Sequence, residues 1–113
     1  MVPDEVVEGA PVEIAGQNPG AQEEAQGIPY VGRTGKEMNK TYLPLAGLTR
    51  GEVTISNAIR CRLRGSNELP AVTTVQVRQA IEHCRRAFHT YPTAKRTVTQ
   101  GDYALWAHTG QSS

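Results

Sequence analysis

"GQNPGAQEEAQGIPYVG", residues 16–32, packs four glycines and two prolines around the adjacent Glu23 and Glu24 and closes on Tyr30, Val31 and Gly32. Residues 12–15 before it, Val-Glu-Ile-Ala, form a short β-prone run that Gly16 stops. A strand emptying into such a loop serves as a linker, a phosphate cradle or the floor of a site. The elements around it discriminate among the three.

Downstream, 35–48 predicts a helix, with Met38, Tyr42, Leu45 and Leu48 near helical spacing and Pro44 set to kink or end it. "VTISN", 53–57, alternates apolar and polar residues and reads as a second strand running on into Ala58, Ile59 and Arg60; 65–70 reads as a loop. The clearest periodicity covers 74–91, where Val77, Ile81, Cys84, Phe88 and Tyr91 recur at steps of four and three. That is an amphipathic helix with Cys84 on its apolar face. Pro92 ends it, 96–100 predicts a third strand, and Asp102 is the expected N-cap of a last helix.

Alternating strands and helices predict the α/β class: a three-layer α/β/α arrangement on a short parallel sheet with right-handed crossovers. Ligands in such folds lie at the carboxyl ends of the strands. The opening stretch and residues 57–62 both fall there.

The 113 residues predict one small domain, 1–113, and the net charge of +1 excludes a polyelectrolyte, so any nucleic-acid contact must come from local basic patches. Two cysteines, Cys61 and Cys84, make no disulfide framework, and no leader precedes Val2. A reducing, cytoplasmic setting and a monomer are expected. No apolar run approaches the ~20 residues that cross a bilayer, so no membrane partner is expected.

"GRTGKE", 32–37, is not a phosphate-binding P-loop, because Tyr30 stands where the pattern needs glycine and Glu37 where it needs Ser or Thr. Zinc is poorly served too: Cys61 and Cys84 each lack a second ligand two to four residues away, and His83 and His89 are expected to face solvent. Two loops at strand ends remain. One carries Asn18, Glu23 and Tyr30; the other carries Asn57 with Arg60, Arg62 and Arg64.

In order, G-x-x-P-G, Glu23-Glu24, G-x-P-Y-V-G-x-x-G, "SNAIRCR" and "GSNELP" resemble the uracil-DNA glycosylase superfamily. The resemblance is closest to its iron-sulfur, thermophile-type branch (family 4) and to phage and bacterial relatives, where "GEAPG..ED", "GxPFVGxAG" and "TNxVKCRPP" recur. It covers residues 12–70 well and continues weakly through "QGDYALWAHTG". It implies DNA base-excision repair: hydrolysis of the N-glycosidic bond of a flipped uracil through an oxocarbenium-like state, with uracil leaving as an anion.

By that resemblance Tyr30, where the family usually has Phe, stacks on the uracil; otherwise it is a packing aromatic. Asn57 reads the O4 and N3–H edge with an amide that both donates and accepts, or else closes an Asx turn. Gln17-Asn18 departs from the Glu-Ala pair of the iron-sulfur branch and blends G-Q-D-P with G-x-N-P-G of two other branches. Asn18 then orients the attacking water, and Gln17 offers uracil mainly backbone. Glu23 takes a proton or supports the cationic sugar, unless Glu23 and Glu24 are solvated loop charges. Arg33, Arg60, Arg62 and Arg64 suit phosphates around a flipped nucleotide, or an exposed strand edge.

Cys61 and Cys84 match two of the four thiolate ligands of a [4Fe–4S] cluster, which forms only if further cysteines lie upstream. The family's His-Pro motif and last strand would lie beyond residue 113, and His83, His89 and His108 stand in no matching context. The chain alone is therefore expected to be weakly active or inactive. The rivals are a non-catalytic nucleic-acid-binding relative and a nucleotide-binding α/β domain that uses the loop as an anion nest.

Overall fold

The computed structural model describes residues 1–62 and 70–111. Arg64 and residues 65–69 of the loop expected over 65–70 lie outside the described residues. Three parallel strands, β1 (Val12–Gly16), β2 (Val53–Asn57) and β3 (Arg96–Thr99), form a sheet in the order β2-β1-β3. β1 is central, pairing Ile14 with Ile55 on one side and with Val98 on the other. The expected α/β class and parallel sheet are what the chain builds.

Alternation along β1 and β2 splits the buried side chains between two faces. Ile14, Val53 and Ile55 pack with Met38 and Leu43 on one face. The other face presents Glu13, Thr54 and Ser56, all buried, toward the elements that follow β2. There Ala58, Ile59 and Val72 form a second cluster with Val77, Ile81 and Cys84 of one helix and Tyr103 of another. The sheet is sandwiched, with a mostly apolar layer on one side and a mixed layer on the other.

The loop read over 16–32 contains an unforeseen helix, α1 (Ala21–Gln26), which buries no residue. Its signal is short-range: Glu23 reaches back to the Gly20 N–H at 3.0 Å, and Gly27 closes the C-terminus at φ 70°. The helix expected over 35–48 starts two residues earlier, as α2 (Arg33–Glu37), passes through a π turn (Met38–Tyr42) and ends in α3 (Leu43–Leu45). Pro44 lacks an N–H and would crowd the carbonyl four residues back, so the helix widens there; Leu43 N–H bonds Met38 O, five residues back.

α4 (Val75–Phe88) buries Val77, Ile81 and Cys84 as the periodicity predicts, but ends before Tyr91. α5 (Asp102–Thr109) is capped by Gly101, one residue before the expected Asp102. β2 stops at Asn57 rather than Arg60, yet its ladder continues: Ala58 N–H donates to Gly16 O and Ile59 N–H to Gln17 O, both at 2.9 Å. No helix among the described residues is long and apolar enough to cross a membrane.

Candidate active site

All three strands end on one edge of the sheet, and the loops leaving them enclose a pocket of about 380 Å³. With β1 between β2 and β3, this is the crevice where successive connections diverge to opposite sides. Gly16 is its floor. A Cβ there would collide with the Tyr30 hydroxyl and stand 2.7 Å from Asn57 Oδ1. Only a glycine lets that phenol and that amide meet over the end of β1.

Tyr30 is held in a costly conformation, with φ 54° in a non-glycine residue. Arg50 fastens it: NH1 donates to Tyr30 O at 2.6 Å, NH2 donates to Pro29 O, and Nε pairs with Glu5 at 3.0 Å. Gly35 packs against the Tyr30 carbonyl so closely that a Cβ would overlap it. The phenol donates to Gln100 Oε1 at 2.6 Å, and Gln100 N–H donates to Ala15 O at 2.8 Å. Burial pushes the Tyr30 hydroxyl up to about 12, so it is a neutral donor under ordinary conditions.

Glu23 has its oxygens engaged. Oε1 accepts from Gly20 N–H at 3.0 Å, and Oε2 accepts from Val31 N–H at 3.0 Å and Gly32 N–H at 2.5 Å. Burial raises its pKa, but these backbone donors outweigh that and hold the carboxyl below its usual range. A carboxylate so held is a poor proton acceptor; it keeps its charge beside the pocket and staples the start of α1 to the start of α2.

Asn57 is 4% exposed and lines the pocket, and among the described residues its side-chain amide makes no hydrogen bond. Asn18 lies half-buried in the wall, its Nδ2 donating to Pro19 O at 3.2 Å. Gln17 turns its side chain toward α5, where Oε1 accepts from Tyr103 N–H at 3.3 Å. Arg33 is exposed at the rim as the first residue of α2.

The basic residues of the second loop divide. Arg62 remains at the surface, 3.8 Å from Glu24. Arg60 is 2% exposed and corrects the expectation of a phosphate contact. Its Nε and NH2 bind Asp4 Oδ1 and Oδ2 at 3.0 and 2.7 Å, and the Tyr91 hydroxyl donates to the same carboxylate at 2.6 Å. Burial of Arg60 follows from continued pairing after β2: Val2 N–H donates to Arg60 O at 2.7 Å and brings Asp4 alongside.

The resemblance implies a [4Fe–4S] cluster, for which Cys61 and Cys84 are two candidate ligands. Such a cluster takes four thiolates; this chain has two, and Cys84 is packed in the apolar core while Cys61 is exposed. His89 also departs from expectation, since it turns inward onto Glu13 rather than toward solvent. Arg50 and Gln100 went unnoticed in the sequence. Gln100 had a signal, its place at the carboxyl end of a strand; Arg50 acts on backbone 20 residues away and has no local signature.

The profile of the Uracil DNA glycosylase superfamily matches residues 3–107. The chain belongs to the uracil-DNA glycosylase superfamily. Type-4 uracil-DNA glycosylases are among the relatives of this superfamily member. Those of Sulfurisphaera tokodaii and Saccharolobus solfataricus are each 36% identical to it over 61 residues, 54% of this chain and 28% of the relative. That of Pyrobaculum aerophilum is 41% identical over 51 residues, 45% of this chain and 26% of the relative. The matched stretch thus spans little more than a quarter of each relative's length.

Proposed function

We propose that this chain, as a single domain, carries the base-recognition pocket of a uracil-DNA glycosylase and serves hydrolysis of the N-glycosidic bond of a flipped uracil in DNA. The observation that carries the reading is the meeting of Tyr30 and Asn57 over Gly16, at the strand-end crevice of a chain of this superfamily. The pocket's volume is near the small end of the ~300–1,000 Å³ of ligand sites, which suits one extruded base.

In this reading the Tyr30 ring stacks on uracil and Asn57 pairs with O4 and N3–H. Cytosine offers an unprotonated N3 and an amino group along the same edge, so an amide oriented for uracil mismatches both. Asn18 orients the attacking water, with Gln17 giving backbone. Glu23 supports positive charge developing on the sugar through its own fixed charge and keeps both loops in place. Arg33 and Arg62 meet the flanking phosphates. The partner is uracil-containing DNA, bound by one copy of the chain.

The test is a single-stranded oligonucleotide with one deoxyuridine, incubated with the chain and then cleaved by alkali at any abasic site. Weak strand cleavage at that position is expected. Asn18→Ala and Tyr30→Ala should abolish it while the oligonucleotide is still retained. Retention of DNA by the unaltered chain without any cleavage would instead favour a non-catalytic relative.

A further inference from the structure

Glu13 is fully buried in the central strand, on the sheet face that α4 and α5 cover, and two histidines converge on it. His89, the residue that ends α4, places Nε2 3.1 Å from both carboxylate oxygens. His108, in the last turn of α5, places Nε2 3.6 Å from Oε2. All the ligating atoms lie within 4.8 Å of one another. We propose that Glu13, His89 and His108 form a binding site for one zinc-type divalent transition ion.

The donor set argues for that class of ion. Two imidazole nitrogens and one carboxylate suit zinc and its first-row neighbours, whereas calcium and magnesium require more oxygen ligands than the single carboxylate here supplies. Donors at ~2.0–2.2 Å around a tetrahedral ion stand ~3.3 Å from one another. The observed 3.1 and 3.6 Å separations from the carboxylate bracket that spacing, and all three donors lie within 4.8 Å of one another.

The surroundings support it. Ser56 Oγ donates to Glu13 Oε2 at 2.7 Å and orients the carboxylate, as second ligands' partners commonly do. A pocket of about 330 Å³ lies on the Glu13 side of the cluster, lined also by Thr54 and Tyr91. Arg85 NH1 lies 3.5 Å from His108 Nδ1, on the far side of that ring. In the loaded site Nδ1 keeps its proton and the half-buried Arg85 turns to solvent. Because Glu13 sits near the start of β1 and the base pocket at its end, the ion ties β1, α4 and α5 together without touching the base pocket.

The full chain, carrying Cys61→Ser to remove the exposed thiol and dialysed against a chelator, is titrated with Zn²⁺ by calorimetry and with Co²⁺ by visible absorption. One ion per chain, four-coordinate Co²⁺ bands and a higher melting temperature with Zn²⁺ are expected. His89→Gln and His108→Gln should each weaken binding more than about tenfold while circular dichroism keeps the folded signature. Absence of binding overturns the proposal, as does binding that survives both substitutions; Glu13 then simply holds its histidines by hydrogen bonds.

Discussion

Tyr30 bears the greatest concentration of constraint. Its positive φ, its hydroxyl bond to Gln100 and the Arg50 clamp on its carbonyl set the ring over the end of β1. Arg50→Lys keeps the charge but loses the fork that spans two carbonyls, so excision should fall while DNA binding persists; parallel cleavage and retention assays check this. Gly16→Ala drives a methyl into the Tyr30 hydroxyl and the Asn57 amide. Displacing recognition groups by about 1 Å costs on the order of 100-fold in rate, and a loss of that size is expected in single-turnover cleavage. Glu23 gives a pH prediction. Its folded pKa is depressed below the ordinary 4.5, so the stability it contributes is present above 4.5 and is lost as pH falls through the lower folded value. Glu23→Gln should therefore unfold at lower denaturant than the unaltered chain at pH 7, and the gap should close in acid.

Among the elements, α4 shows how far local pattern reaches. Its apolar positions were readable because a 3.6-residue repeat reports directly on one buried face, and Ile81 is 0% exposed as that face requires. Ile81→Ala should cost about 2–5 kcal/mol in chemical denaturation, the usual range for emptying a core position. α1 was not readable in the same way, because it buries nothing and therefore carries no apolar repeat. It exists through its ends: a carboxylate at Glu23 and a left-handed glycine at Gly27. The π turn before Pro44 has a similar origin, since the sequence announces an interruption but not whether the helix will stop or widen.

For the whole molecule, the N-terminal segment is fastened to the far end of the fold by a buried group of three, Asp4, Arg60 and Tyr91. Asp4→Ala leaves Arg60 uncompensated in a site where its side chain is 3% exposed, so about 3–5 kcal/mol of destabilisation is expected in urea unfolding. Parallel pairing and the strand-end location of the pocket followed from the alternation of elements, because a parallel sheet must be closed by crossovers and its ligands gather at the carboxyl ends of its strands. That Asn18, Tyr30 and Asn57 line one strand-end pocket was legible for that reason. The sequence by itself thus determined the α/β class, the two strand-end loops and the apolar face of α4, each written in residues close together along the chain. Tertiary structure alone decided that Arg60 is buried on Asp4, that Arg50 grips Tyr30, and that His89 and His108 gather on Glu13. Those partners are 56, 20, 76 and 95 positions apart, and no local periodicity carries a hydrogen bond across such distances.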